Sequence, residues 1–349
     1  MRRLSRSRRE FLSTASAVAA AAWLPATARG AQRAGAAPGK AAGLPLGCHT
    51  RPFGTFRTTQ AGNPDYILDA IKAAGFAYAD MISAGAGGGR GRGRATAAAP
   101  GAAPAPPARG AAATPEAIAA LKDKLVARGL KSNIANFPTG QRGVPLADAI
   151  ANGRRIIENA QALGQKYALN LGIEDEERWV DWCKVLADAA AFGKERGVQV
   201  VVKHHHGLNN TAMDLLGWVK QVNHPNFGIF YDPGNVVYYT GKDPVKALEI
   251  IGPHVTGVVA KDCTAPHFME RAVGDPPFGA KVTGAGNPEV MIQLGTGKVD
   301  FAAFFQRLKS FGFNGPVMLE GSEVGATLEQ TIANARANRE FLEKIFASA

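Results

Sequence analysis

Cysteine is scarce in this sequence, and its apolar N-terminal run is short. The 349 residues contain three cysteines, Cys48, Cys183 and Cys263, which are far apart and odd in number. Such a set predicts no disulfide framework, so we expect three small buried thiols. The apolar run at residues 14–24 is well short of the roughly 20 residues that a membrane-spanning helix needs. A transmembrane anchor at the N-terminus is therefore disfavoured.

Acidic residues are also in short supply, with 29 Asp and Glu against 40 Lys and Arg and a formal net charge of +11. Most of this excess is confined to two segments. Residues 1–28 hold five arginines and one glutamate, and residues 84–113 hold four arginines and no acid. Together they account for eight of the eleven charges, which leaves +3 for the rest of the chain. That balance is too small to predict nucleic acid as a partner.

The N-terminus has the pattern of an export signal. The segment SRREFL at residues 7–12 contains a twin-arginine pair, and it precedes the Ala-rich run 14–24 and the small-residue site Ala26-Thr27-Ala28. This order is typical of a signal peptide for the twin-arginine (Tat) pathway, cleaved after Ala28. We predict a signal peptide at 1–28, a linker at 29–43, and a periplasmic or secreted mature protein without a membrane anchor.

From residue 44 onward, short β-type runs alternate with longer runs whose apolar residues recur at helical spacing. The predicted strands are 44–48, 78–83, 130–137, 167–173, 198–205, 227–232, 255–262 and 316–320. The predicted helices are 64–74, 115–128, 145–163, 176–196, 211–222, 244–251, 301–311 and 327–346. Eight strand-then-helix units with apolar strands predict an α/β fold, a single (β/α)8 TIM barrel at 44–347. A doubly wound open sheet is the alternative.

Two insertions interrupt this rhythm. Residues 84–113 are rich in Gly, Ala, Pro and Arg, a composition that cannot bury enough apolar surface to fold and predicts a disordered loop after strand two. Its arginines could contact an anionic group, although a solvated loop without function is the simpler interpretation. Residues 264–298 mix aromatic and polar residues and are the better candidate for an ordered lid over a substrate.

Polar side chains stand at the carboxyl ends of all the predicted strands. Because these ends meet on one face of a parallel barrel, we expect the side chains to share one site. The candidates, in chain order, are His49, Asp80, Asn133, Asn136, Asn170, Lys203, Asp232, Asn235, Lys261, Asp262 and Glu320. Each residue alone could cap a turn or face solvent, but convergence of the whole set on one mouth favours a functional site.

Three consecutive histidines follow strand five in the segment KHHHGLNN at 203–210. Side chains alternate between the two faces of a strand. If Lys203 points into the barrel, His205 does too, and His204 and His206 point toward the helices or the loop. The opposite register gives the opposite set, and the sequence leaves both open.

Several segments carry a resemblance to a known family. They are FGIFYDPGN (227–235), TGKDPV (240–245), VVAKDC (258–263), LGTGKVDFAAFFQRLKSFGFNGPVMLEG (294–321) and VGATLEQTIANARANREFLEKI (324–345). On these motifs, residues 44–347 resemble the sugar phosphate isomerase/epimerase family, the xylose isomerase-like barrels. The resemblance implies a divalent metal held by Glu, Asp, His and Glu from strands five to eight, with two glutamates that move a proton beside a substrate carbonyl.

Two of these four ligand positions are kept in this sequence. Asp232 matches the strand-six aspartate and Glu320 the strand-eight glutamate, whereas the strand-five glutamate falls on Lys203 and the histidine falls on Val259. A rebuilt site of His205, or of His204 and His206, together with Asp232 and Glu320 would suit Mn, Zn, Fe or Co. The alternative is a metal-free site in which Lys203 and Lys261 stabilise an enolate.

We therefore predict an exported isomerase- or epimerase-like enzyme that moves a proton beside the carbonyl of a sugar or sugar derivative, with metal assistance. Glu320 is the expected base, and Lys203 and Lys261 counter the developing negative charge. The residues expected to bind substrate are His49, Asn136, Asn170, Asn235 and Asp262. No nucleotide cofactor is expected. Two alternatives are a lyase or hydratase acting on 3-keto-glycosides and a non-catalytic sugar-binding barrel.

Overall fold

The structure, a computed structural model, describes residues 44–84, 113–140, 142–205, 207–264 and 290–348. The expected signal peptide and linker (1–43), all but the two end residues of the Gly/Arg-rich insert, most of the expected lid, and His206 lie outside the described residues. Within them, no helix is both long and apolar enough to cross a membrane.

Eight parallel strands lie within the described residues and confirm the predicted (β/α)8 TIM barrel. They are β1 (Leu46–His49), β2 (Tyr78–Asp80), β3 (Ile134–Phe137), β4 (Tyr167–Asn170), β5 (Gln199–Lys203), β6 (Phe227–Tyr231), β7 (Val255–Ala260) and β8 (Val317–Leu319). They pair in the order β2-β1-β8-β7-β6-β5-β4-β3. Between β2 and β3 a parallel bridge joins Tyr78 and Lys131, so the barrel is nearly closed.

Asp80 strengthens the junction between β2 and β3. Its Oδ1 accepts hydrogen bonds from the backbone amides of Asn133 (2.8 Å) and Ile134 (3.1 Å). Burial raises the pKa of Asp80 to about 7, although these two hydrogen bonds oppose the rise. The strand-two carboxylate therefore closes the barrel.

Nine α-helices occur in the same part of the chain. They are α1 (Tyr66–Ala73), α2 (Pro115–Ala127), α3 (Leu146–Ala162), α4 (Glu176–Lys194), α5 (Ala212–Val222), α6 (Pro233–Thr240), α7 (Pro244–Ile251), α8 (Phe301–Ser310) and α9 (Leu328–Ser348). Short 3-10 helices at Arg51–Phe56 and Gly252–His254 complete the set.

Helix α6 was not predicted, because its sequence PGNVVYYT combines glycine with β-branched and aromatic residues of low helix propensity. Local capping forms it nevertheless. The Asp232 carboxylate accepts from the Asn235 amide at 2.9 Å, and Pro233 occupies the first helical position, where its missing N–H costs nothing. A Cβ at Gly234 would lie 2.6 Å from the Lys261 carbonyl oxygen. Glycine is therefore required where α6 approaches the end of β7.

Two apolar layers position the site. The larger one lies between strands and helices and includes the three cysteines, all free and buried as predicted. The smaller one fills the inside of the barrel and consists of Ile134, Leu169, Val201, Phe230, Val259 and Met318. Since side chains on one face of a strand recur every two residues, the next inward positions lie at the carboxyl ends of the strands. We call this end of the barrel the mouth.

Candidate active site

Four ionisable side chains lie at the mouth, directly above the inner apolar layer. Each of the four follows an inner-layer residue by two positions. Lys203 is the last residue of β5, and Asp232, Lys261 and Glu320 come directly after β6, β7 and β8. Strand alternation thus carries all four inward. All four are buried.

The four side chains form a closed set of ion pairs. Lys203 Nζ lies 2.9 Å from Asp232 Oδ2 and donates to Glu320 Oε2. Lys261 Nζ lies 3.3 Å from Asp232 Oδ2 and 3.1 Å from Glu320 Oε1. Arg51 adds a fifth group, with Nη1 at 3.0 Å from Glu320 Oε1. We refer to Arg51, Lys203, Asp232, Lys261 and Glu320 as the charged network.

The charged network perturbs the protonation of its own members. Burial lowers the pKa of Lys261 to about 8, although Asp232 and Glu320 oppose the shift. Burial alone would raise the pKa of Glu320, but Lys203 and Lys261, helped by His49 and Arg51, hold it well below its usual range. Buried groups with displaced pKa values and named charge partners mark candidate functional sites.

Exposure decreases with depth in the charged network. The side chain of Arg51 is 32% exposed and that of Glu320 is 9% exposed, whereas those of Lys261 and Lys203 are 2% and 1% exposed. A molecule entering from the mouth meets Arg51 and Glu320 before either lysine. Arg51 was not among the predicted site residues; the signal available was its place two residues after His49 at the polar end of β1.

The structure places three of the five predicted substrate-binding residues at the mouth. His49 accepts the Arg51 amide on Nδ1 at 2.8 Å. Asn235 accepts from Lys261 Nζ at 3.1 Å and donates to the His204 carbonyl at 2.8 Å, so it orients that lysine. Asn136 is exposed on the inward face of β3.

The other two, Asn170 and Asp262, are engaged with the backbone. Asn170 donates to the Phe137 carbonyl at 2.8 Å and accepts from the Gly172 amide at 2.8 Å. Asp262 accepts four backbone amides, at 2.7–3.1 Å, from Cys263, Gly295, Gly297 and Val299. Both side chains are fully buried, and they hold loops in place.

The histidine segment takes the register in which Lys203 points inward. His204 faces the helices, fully buried, with its ring centroid 4.7 Å from that of Tyr231. Neither of its ring nitrogens has a hydrogen-bond partner among the described residues. Burial, with a smaller effect from Lys203, lowers the pKa of His204 to about 3. The half-buried His205 lies with its ring centroid 5.8 Å from that of Tyr239.

The residues at the mouth do not fit a divalent cation. Within the described residues, no three His, Cys, Asp or Glu side chains are arranged to hold a metal, so the expected set of His205, Asp232 and Glu320 is not assembled. The carboxylates of Asp232 and Glu320 already contact two ammonium groups. A divalent cation about 4 Å from one ammonium would be repelled by about 8 kcal/mol at an effective dielectric of about 20.

Comparisons with known proteins agree with this architecture. The family model for the xylose isomerase-like TIM barrel matches residues 68–345. Among curated proteins, none matches the chain in sequence.

Several solved structures have a similar shape. D-allulose 3-epimerase from Methylomonas sp. is 16% identical with a TM-score of 0.58, covering 87% of this chain and 98% of its own. The probable 3-DHS dehydratase AsbF from Bacillus anthracis is 14% identical with a TM-score of 0.59, covering 86% and 99%. The IOLI protein, solved with a bound zinc atom, is 16% identical with a TM-score of 0.59, covering 87% and 99%. At these identities the likeness shows the fold.

Proposed function

Since the chain belongs to the xylose isomerase-like TIM barrel family, we propose that it is an enzyme that moves a proton at the carbon beside the carbonyl of a sugar or sugar derivative. An isomerase or epimerase reaction is the simplest form of this chemistry. The observation that carries the proposal is the position of Glu320, a carboxylate shared by Arg51, Lys203 and Lys261 at the mouth.

Glu320 is the proton acceptor that a substrate reaches first. Its low pKa keeps it ionised but makes it a weak base on its own. Lys261 lies 3.1 Å from Glu320 Oε1, and a pKa of about 8 suits a group that stores a proton near neutral pH. Two groups this close titrate as a pair. The Glu320 carboxylate therefore takes the proton from the carbon, and the Lys261 ammonium keeps its own proton and stabilises the enolate that forms.

Cations of the charged network stabilise the negative charge that develops on the carbonyl oxygen. Arg51 is the most exposed of them, so its guanidinium is the first donor that an enolate oxygen meets. Preorganised donors aimed at developing charge are usually the largest catalytic contribution of a site. His49, beside Arg51, and the exposed Asn136 are placed to hydrogen-bond sugar hydroxyls.

Substitution of Glu320 tests this function. We expect Glu320→Gln to lower turnover by about 100-fold or more, measured by NMR of products from a panel of ketoses, uronates and 3-keto-glucosides. Ligand affinity should change less than turnover, because the amide keeps the shape of the side chain. The matched control is Glu323→Gln on the exposed loop after β8, which should retain full turnover. Equal turnover in Glu320→Gln and Glu323→Gln would show that Glu320 takes no part in the reaction.

A lyase or hydratase is the second candidate, favoured by the dehydratase among proteins of similar shape. It would use the same proton removal but then expel a group from the neighbouring carbon. The same NMR panel separates the two reactions. A new signal for an unsaturated sugar and a released group indicate elimination, whereas an isomeric sugar of unchanged mass indicates isomerisation or epimerisation.

We also place this enzyme outside the cytoplasm, on the twin-arginine segment and cleavage site of residues 1–28. Phosphate esters are uncommon in that compartment, so a free or oxidised sugar is the preferred substrate class.

A further inference from the structure

We propose that the Lys203 ammonium is a built-in cation that takes the place of a divalent metal between Asp232 and Glu320, so that the site works without a metal. Lys203 Nζ lies 2.9 Å from Asp232 Oδ2 and donates to Glu320 Oε2. These carboxylates project from the ends of β8 and β6. One cation therefore bridges the two groups that would otherwise bind a metal.

The position of Lys203 is fixed by its surroundings. Asn209 Nδ2 donates to the Lys203 carbonyl at 2.5 Å and to the Leu171 carbonyl at 2.8 Å, which joins the end of β5 to the loop after β4. Asn209 is fully buried. It packs so closely against Gly172, which has a φ of +79°, that a Cβ there would overlap its amide. Asn209 thus ties the backbone of Lys203 to the loop after β4, and Gly172 leaves room for Asn209 there.

Val259 is a second residue that argues against a metal site. Val259 lies two positions before Lys261 on β7 and is completely buried in the inner apolar layer. Hydrocarbon therefore occupies the level directly beneath the charged network on that strand, at the position where the family resemblance implies a histidine ligand. With a lysine on β5 and a valine on β7, two strands supply no metal ligand, and Lys261 adds a second positive charge within 3.3 Å of Asp232.

The electrostatic role of a metal is supplied by the chain itself. Lys203 places a positive charge between the buried carboxylates of Asp232 and Glu320 and forms an ion pair with each of them. It is not released by chelators, and it does not depend on metal supply. The inference deepens the proposed function but rests on binding geometry alone, so it is testable without a substrate.

Metal binding to the full-length purified protein gives the first test. Before any chelator treatment, elemental analysis should find less than about a tenth of an equivalent of Mn, Fe, Co or Zn, an order-of-magnitude limit for an absent site. Titration with MnCl2 or ZnCl2 should leave the melting temperature unchanged. One equivalent of tightly bound metal that is lost in Asp232→Asn would overturn the proposal.

Lys203→Glu gives the second test, because it replaces the ammonium with a carboxylate beside Asp232 and Glu320. We expect this variant to bind about one equivalent of Mn or Zn and to melt at a higher temperature with metal than without. Lys166→Glu, which adds the same charge at an exposed position, is the control and should bind none. A folded Lys203→Glu protein that binds no metal counts against Lys203 as the excluding group.

The two tests separate this inference from the proposed function. If the wild-type protein binds no metal and shows no turnover, the proposal of a built-in cation stands and the proposed enzymatic function is wrong. If the wild-type protein binds metal and turns over substrate, the proposed enzymatic function stands and the proposal of a built-in cation is wrong. If Lys203→Glu does not fold, the wild-type titration decides alone.

Discussion

His204 combines complete burial with a ring that makes no hydrogen bond among the described residues. Its pKa is about 3 in the folded protein and about 6.5 in the unfolded chain. Below pH 6.5 the unfolded chain therefore binds a proton that the folded protein excludes. We expect His204 to make the free energy of unfolding fall by about 1.4 kcal/mol per pH unit between pH 6.5 and pH 3.

Urea denaturation of the wild type and His204→Phe at pH 7.5, 6 and 5 measures this effect. Phe cannot be protonated, so the variant should gain stability relative to the wild type as the pH falls, by about 1.4 kcal/mol per unit below pH 6.5. A stability difference that does not change with pH would show that His204 is not buried as a neutral group.

At the same scale, the sequence predicts some site residues well and others poorly. Lys203, Asp232, Lys261 and Glu320 could be predicted because a strand end and its alternation determine where they point. Asp262 could not, because its role depends on amides at residues 295–299, which come together with it only in the folded chain. The inward register of Lys203 likewise required the structure.

At the scale of elements, all eight predicted strands and all eight predicted helices are present, with boundaries that differ by a few residues. The strand at 78–83 ends early at Asp80, because Met81 has a φ of +60° and leaves the extended conformation. Helix α6 was missed because its capping by Asp232 and Pro233 outweighs its poor helix propensity. Apolar periodicity thus predicts the strands and helices of the barrel. It does not predict helix α6, which forms because Asp232 and Pro233 cap it.

One side chain, that of Asp262, holds several backbone amides in the described residues between β7 and α8. Asp262 holds residues 295–299 by three of its four hydrogen bonds, and its loss leaves buried amides without acceptors. We expect Asp262→Ala to lower the free energy of unfolding by about 3 kcal/mol, measured by urea denaturation.

Asp300→Ala is the control for this prediction. Asp300 caps the exposed start of α8 by accepting the Ala303 amide at 2.9 Å, and its loss should cost about 1 kcal/mol. If Asp262→Ala kept wild-type stability and lost affinity for sugars instead, the result would support the predicted role of Asp262 in binding substrate.

At the scale of the whole molecule, the proposed export of the barrel rests on its N-terminal segment. We expect the mature protein to begin at Arg29, by intact-mass measurement, and to be recovered outside the cytoplasm. Replacing both arginines of the pair, Arg8→Lys with Arg9→Lys, should leave most of the protein uncleaved inside the cell, because the Tat pathway reads that pair. Unchanged export of the double variant would exclude this pathway.

The proposal that Glu320 removes a proton beside a sugar carbonyl rests on the charged network and on the barrel that positions it. Hydrogen exchange tests it most directly, because isomerisation, epimerisation and elimination all begin with that step. The wild type, incubated with the sugar panel in D2O, should place deuterium at the carbon beside the carbonyl of its substrate, as seen by NMR. Glu320→Gln should slow this exchange by about 100-fold or more, with Glu323→Gln unchanged. Exchange at the wild-type rate in Glu320→Gln would contradict the account.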